Sequence, residues 1–208
     1  MGSAAPCACS TSWAASAHDA VSVMSEKQQV HEERELKFAQ VELAHLRERL
    51  LELQAERLAP PAFEDNWIFD KNGELQRHGM MLRLRIDGHG AQITLKGPVE
   101  WEETMKIRTE LQTRLEDAEQ MRTILDFLGY RVMRRYQKMR EEWRLGAVTI
   151  SLDHTPIGDF VEFEGQGADK LARRCGLAVD AAETRTYLEL YEDHLKTNPG
   201  APPDMVFE

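Results

Sequence analysis

Long apolar runs are missing from this chain of 208 residues. No segment approaches the roughly 18 consecutive apolar residues that a membrane-spanning helix needs, so no membrane partner is expected. Cysteine is scarce: Cys7, Cys9 and Cys175 form no metal-ligand spacing and no disulfide framework, which points to a reducing, cytoplasmic setting. Excess positive charge is absent as well. With 26 Lys and Arg against 36 Asp and Glu, the net charge is -10, and a duplex phosphate backbone would repel such a surface at long range. Nucleic acid is therefore excluded as a broad partner, although a local basic pocket is not. His31, His78, His89 and His154 share no spacing, which argues against a histidine metal site. A secretory leader would need a basic start and an apolar stretch, yet the first Lys or Arg is Lys27.

The remaining composition, 42% hydrophobic and 30% charged, suits one domain with a substantial core or two small ones. Residues 1–30 are Ala/Ser-rich without periodicity and read as a disordered tail, with Met24 a second candidate start. Residues 31–197 carry the folded pattern, and the proline-bearing 198–208 reads as a loose tail. Between the tails, leucines at 43, 46, 50, 51 and 53 predict a helix over 41–58, stopped by Pro60-Pro61. Its Glu/Arg-laced outer face is a candidate homodimer contact. Further helices are predicted at 116–128, 168–175 and 181–196. Strand-like alternation occupies 33–39, 66–70, 81–86, 91–96, 105–112, 130–142, 147–153 and 160–164, with Asp87-Gly88-His89-Gly90 a hairpin turn. Eight short strands with inserted helices predict an α+β protein built on an antiparallel β-barrel.

The strands are abnormal in carrying charge on one face. Residues i and i+2 of a strand share a face, so Glu33, Glu35 and Lys37 project together. The same holds for Arg83 with Arg85, Thr94 with Lys96, Lys106 with Arg108 and Glu110, Lys138 with Arg140, and Glu162 with Glu164; Asp153 closes the strand of Val148, Ile150 and Leu152. Any one such face could simply be solvated. Six in phase, with like charges paired along a strand, make better sense facing one barrel interior that has a cationic and an acidic half. Guanidinium and ammonium groups bind phosphate oxygens. Converging carboxylates repel unless a cation sits among them, and oxygen donors favour Mg²⁺ or Mn²⁺. The implied partner is a long, highly anionic, metal-chelating small molecule, and a triphosphate suits it.

Glu33-Arg34-Glu35-Leu36-Lys37 is an E-x-E-x-K motif. Leu82-Arg83-Leu84-Arg85, Thr94-Leu95-Lys96-Gly97-Pro98, Arg108-Thr109-Glu110, Lys138-Met139-Arg140, Leu152-Asp153 and Gly158-Asp159-Phe160-Val161-Glu162-Phe163-Glu164 follow it in order. In this sequence of motifs, running from Glu33 to about Tyr191, the chain resembles the CYTH superfamily of triphosphate tunnel metalloenzymes, and looks most like its class IV adenylyl cyclase branch. The resemblance implies an eight-stranded antiparallel tunnel with flanking helices. It implies metal ligands at Glu33, Glu35, Glu162 and Glu164 with Glu110 and Asp153 nearby, and triphosphate contacts from Lys37, Arg83, Arg85, Lys96, Arg108, Lys138 and Arg140. Glu33, Glu35, Lys37, Arg108 and Lys138 are the residues expected to carry catalysis. A late basic residue used by some members has only Arg185 and Lys196 as candidates here, and Gln112 stands where many members place another acid. The expected activity is metal-dependent hydrolysis of a nucleoside, organic or inorganic triphosphate. The alternative is cyclisation of ATP to cyclic AMP and pyrophosphate, and a non-catalytic polyphosphate-binding module comes third, because paired glutamates serve a binder poorly. Trp67, Trp101 and Trp143 read as packing or rim aromatics.

Overall fold

The structure, a computed structural model, describes residues 31–103 and 105–208; the expectation of a disordered tail at 1–30 lies outside them. Eight strands close into an antiparallel barrel in the order β1-β5-β4-β3-β2-β6-β7-β8. They are β1 (His31–Ala39), β2 (Glu56–Asp70), β3 (Met81–Asp87), β4 (Gly90–Glu102), β5 (Met105–Leu115), β6 (Arg131–Leu145), β7 (Val148–Thr155) and β8 (Gly158–Glu164). Closure removes every free edge of the sheet along its shared length. Among the described residues five α-helices flank it: α1 (Leu43–Glu52), α2 (Glu74–Arg77), α3 (Ala118–Phe127), α4 (Ala168–Arg174) and α5 (Tyr187–Thr197).

The barrel is apolar outside and polar inside. Leu36 and Phe38 of β1, Ile150 and Leu152 of β7 and Val161 and Phe163 of β8 point outward into a core closed by Leu43, Leu46 and Leu50 of α1 and Leu171 of α4. On the opposite wall, Phe69 of β2 and Leu84 of β3 pack under Leu125 of α3. Because the apolar alternate positions are covered by helices, the charged alternate positions have only the interior left to them. No helix among the described residues is long and apolar enough to cross a membrane.

Several boundaries differ from the sequence reading, each for a local reason. Helix α1 stops at Glu52, because Gln54 turns to a positive φ of 60°. Pro60 and Pro61 then lie inside β2 rather than ending a helix. They are tolerated because the pairing of β2 with β6 shifts register between Ala59 and Ala62, where a missing N–H costs no ladder bond. The last helix begins at Tyr187, not near 181, fixed by a capping box in which the Thr186 side chain and Glu189 satisfy each other's backbone N–H. The hairpin at Asp87 to Gly90 is as expected, with Asp87 pairing Gly90.

The C-terminal segment is not loose. Strand β6 outruns its neighbour: β7 ends at Thr155, and the β6–β7 pairing starts at Met139. That leaves an open β6 edge before Met139, and Met205 fills it, donating its N–H to Arg135 O (3.1 Å) and accepting at its carbonyl from Gln137 N (2.8 Å). Asp204 accepts from Arg135 N, Phe207 donates to the Gln137 side chain, and the Met205 side chain is buried. An unpaired edge is thus covered by the chain's own end.

Candidate functional site

A cavity of about 270 Å³ runs through the barrel, lined by eight cationic side chains and six carboxylates. The lining comes from seven of the eight strands, so the site is assembled by barrel closure and not by any local motif. Glu33, Glu35 and Lys37 descend from β1, Arg83 and Arg85 from β3, Lys96 from β4, Lys106, Arg108 and Glu110 from β5, Lys138, Arg140 and Glu142 from β6, and Glu162 and Glu164 from β8. Every site residue singled out from sequence except Asp153 therefore lines this cavity, and Asp153 lies fully buried just behind its wall.

Two ion-pair clusters organise the interior. In one, Lys96 Nζ lies 2.8 Å from Glu33 Oε1 and 2.6 Å from Glu110 Oε1. Burial pushes the Glu33 carboxyl up, but the Lys96 ammonium outweighs it and leaves the group below its ordinary range. In the other, Arg140 grips Asp153 with two N–H donors at 2.7 and 2.6 Å and also holds Glu162. Lys138 Nζ reaches Asp153 Oδ2 at 3.0 Å, and the Tyr187 hydroxyl donates to the same oxygen at 2.7 Å. Asp153 thus accepts four protein donors. The resemblance placed it near the metal; here it is the counter-ion that orients Lys138 and Arg140.

The other four cavity cations behave differently: Arg83, Lys37, Lys106 and Arg108 are without a carboxylate within salt-bridge distance among the described residues. Arg83 is half-buried; its Nε has no hydrogen-bond partner among the described residues, Tyr136 Oη lies 3.4 Å from Nη1, and Glu110 and Glu64 act on it from farther off. Lys37 is buried and faces the Tyr187 ring at 4.8 Å. A cation short of a close partner favours an anion beside it, and Arg83 and Lys37 both line the one cavity. Arg108 is less free: its guanidinium donates to the carbonyls of Gly97 and Gly79, pinning the register break of β4.

The acidic side has its own unbalanced pair. Glu35 and Glu164 lie directly opposite each other on β1 and β8. Burial and the neighbouring Glu162 and Glu33 charges, outweighing Lys106 and Lys37, raise the Glu35 carboxyl to about 7. Burial, then Glu33, Glu35 and Glu110, raise Glu164 to about 7 as well. Neither has a cationic partner within salt-bridge distance among the described residues. Such carboxylates are hard oxygen donors short of positive charge, and that chemistry fits a divalent cation. As the side chains stand, no group of three or more His, Cys, Asp or Glu among the described residues is gathered tightly enough to hold a metal, since Lys96 and Arg140 occupy Glu33, Glu110 and Glu162.

Some inward residues escaped the sequence reading. Glu64 of β2 is buried between Arg85 (3.4 Å) and Lys138 (3.7 Å). Burial opposes its ionisation, yet Lys138, Arg140, Arg85 and Arg83 together pull the carboxyl down to about 2. Tyr136 and Tyr187 stack at 6.1 Å and, with Phe160 edge-on to Tyr187 at 5.0 Å, plug the end of the barrel under α5. The signal for Glu64 was the alternation Phe63-Glu64-Asp65-Asn66-Trp67, hidden by the nearby prolines. Arg185 and Lys196 are exposed, pair with Asp193, and do not reach the cavity. Trp143 packs in the core, and Trp67 is sandwiched by Arg122 and Arg135 on the outer face.

The site is a charged bore inside a closed barrel with an apolar coat. Residues 31–173 match the CYTH domain model, and the chain belongs to that family. A curated protein of Methanocaldococcus jannaschii, "Putative adenylate cyclase MJ0240", is 27% identical over 122 residues, covering 52% of this chain and 69% of that protein. The solved PH1819 protein of Pyrococcus horikoshii is 27% identical, with a TM-score of 0.67 over 78% of this chain and 99% of its own. A more distant fold neighbour is HpAC1 from Hippeastrum, a protein with a dominant triphosphatase activity, at 14% identity and a TM-score of 0.59 over 78% of this chain and 96% of its own.

Proposed function

We propose that this protein is a divalent-metal-dependent enzyme that hydrolyses the triphosphate group of a nucleoside, organic or inorganic triphosphate. The observation that carries the reading is one cavity lined both by Arg83 and Lys37, cations with no carboxylate within salt-bridge distance among the described residues, and by Glu35 and Glu164, carboxylates with no cation within that distance. A metal-chelating polyanion satisfies both halves together.

In this reading Arg83, Lys37, Lys138 and Arg140 bind the phosphate oxygens. Asp153, Glu64 and Tyr187 hold Lys138 and Arg140 in place, so that little reorganisation accompanies charge build-up. Glu35 and Glu164, joined by Glu33 and Glu162, would hold Mg²⁺ or Mn²⁺. The bound cation would neutralise phosphate charge and lower the pKa of coordinated water. Hydrolysis transfers the terminal phosphoryl group to a water oxygen: the bridging P–O bond breaks, and orthophosphate and the shortened diphosphate leave with net release of a proton. The protein's part is positioning and electrostatics, and enclosure of the bore limits competing solvent.

The name borne by the Methanocaldococcus relative supports cyclisation of ATP as the second reading. The two readings part on products. ATP, tripolyphosphate and thiamine triphosphate are incubated with the protein and Mg²⁺ or Mn²⁺, and orthophosphate, pyrophosphate and cyclic AMP are scored separately. Orthophosphate release abolished by chelator is the expected result. Cyclic AMP with stoichiometric pyrophosphate would replace hydrolysis by cyclisation, and undiminished turnover in excess chelator would overturn the metal's role.

A further inference from the structure

The bore has two unlike ends, which bears on what the triphosphate is attached to. The end under α5 is shut by an apolar plug: the inward residues Ile68, Met81, Tyr136 and Phe160 pack against Tyr187 and Tyr191 of that helix. The strand registers place the opposite mouth at Glu142 of β6, Gln92 of β4, Asp87 of β3 and Arg114 of β5. There the main cavity continues into a second one of about 140 Å³, sharing Arg85, Arg140 and Glu142 with it. Its floor is made small by Ala59 and Ala62, flanking the proline break in β2.

The electrostatics change at this junction. The main cavity has a surplus of cations, eight against six carboxylates, whereas the mouth is balanced at three against three. Its two shared cations already have close partners: Arg85 lies against Glu64, Asp87 and Gln92, and Arg140 against Asp153 and Glu162. Arg114 is exposed at the rim. Glu142 is half-buried and its carboxylate has no ion pair or hydrogen bond among the described residues. A free carboxylate beside the outgoing end of a bound polyanion repels further phosphate and attracts N–H or O–H donors.

Resting on the hydrolase reading above, we infer that Glu142 sets substrate class at the open mouth: it accepts a triphosphate ester whose organic group is uncharged or cationic and bears hydrogen-bond donors, and it rejects a fourth phosphate. The anionic part of the ligand ends where the bore's surplus of cations ends.

The test uses binding in chelator, so that it is independent of turnover. Affinities of linear tripolyphosphate, linear tetrapolyphosphate and ATP are measured by titration calorimetry for the wild-type protein, Glu142→Gln and Glu142→Ala, with thermal melts to confirm folding. Wild-type protein is expected to bind tetrapolyphosphate at least tenfold more weakly than ATP, and both variants to shrink that ratio at least fivefold. Two substitutions of different size keep the result independent of any packing defect in one. Equal affinity for tetrapolyphosphate and ATP in the wild type, or a ratio unmoved in a folded variant, overturns the inference while leaving the tunnel reading standing. Absence of tripolyphosphate binding to the wild type would instead sink the tunnel reading and this inference with it.

Discussion

Replacing Glu35 by Gln should make the metal-free protein more stable above neutral pH, the opposite of what most buried substitutions do. Glu35 stands opposite Glu164 with Glu162 and Glu33 close by, and its carboxyl rises from an ordinary 4.5 to about 7. A carboxyl raised in the folded state opposes folding once it must ionise. The penalty is small below pH 4.5, grows as pH rises toward 7, and levels off above it. At about 1.4 kcal/mol per pH unit, the full effect is about 3 kcal/mol by pH 8 and about 1 kcal/mol at pH 5. Glutamine keeps the shape and drops the charge, so urea denaturation in chelator should show Glu35→Gln gaining about 3 kcal/mol over wild type at pH 8 and much less at pH 5. Added Mg²⁺ or Mn²⁺ should reverse the order, since a ligand that binds only the folded state stabilises it by mass action. A variant equal to or weaker than wild type at pH 8 without metal would refute the claim that this acidic pair is left short of positive charge.

The basic side gives the converse. Glu64 is depressed to about 2, so its contribution is present above pH 4.5 and lost as pH falls toward 2. Glu64→Gln should cost about 3 kcal/mol at pH 7 and flatten the acid limb of the stability curve, read by denaturation from pH 7 to 2. Met205→Ala should cost about 2–5 kcal/mol by the same assay, because the side chain is buried where the C-terminal segment covers β6. At Gly165, φ is +116° and an added Cβ would meet Ala147 O at 2.4 Å. Gly165→Ala should therefore lower the melting temperature and, by displacing Glu164 beside it, weaken the response to metal more than the melt alone explains.

The barrel and most of its bore were legible because a strand's period of two separates faces without reference to neighbours. Once Arg83 with Arg85, Lys138 with Arg140 and Glu162 with Glu164 are assigned to common faces, the apolar residues between them need covering, and the amphipathic helices supply the cover. What stayed hidden depended on pairings between distant strands. Glu64 gains its meaning from Lys138 and Arg85, which the chain brings to it only on closure. The pairing of Asp153 with Arg140 was hidden in the same way, because its sequence neighbours do not reveal that Arg140 lies opposite it in the ladder. The docked C-terminus follows from β6 being longer than β7, a difference already visible in the predicted strand lengths of 130–142 and 147–153, but its use required knowing which edge was left open.

In the proposed reading Arg83 and Lys37, which have no carboxylate within salt-bridge distance among the described residues, hold the triphosphate. Titration calorimetry of tripolyphosphate against the metal-free wild-type protein and Arg83→Ala measures this directly. Loss of a buried charge-assisted contact worth about 1.5–3 kcal/mol should weaken binding by roughly ten- to hundredfold in a variant that still melts cooperatively. Identical dissociation constants for the two proteins would contradict the account.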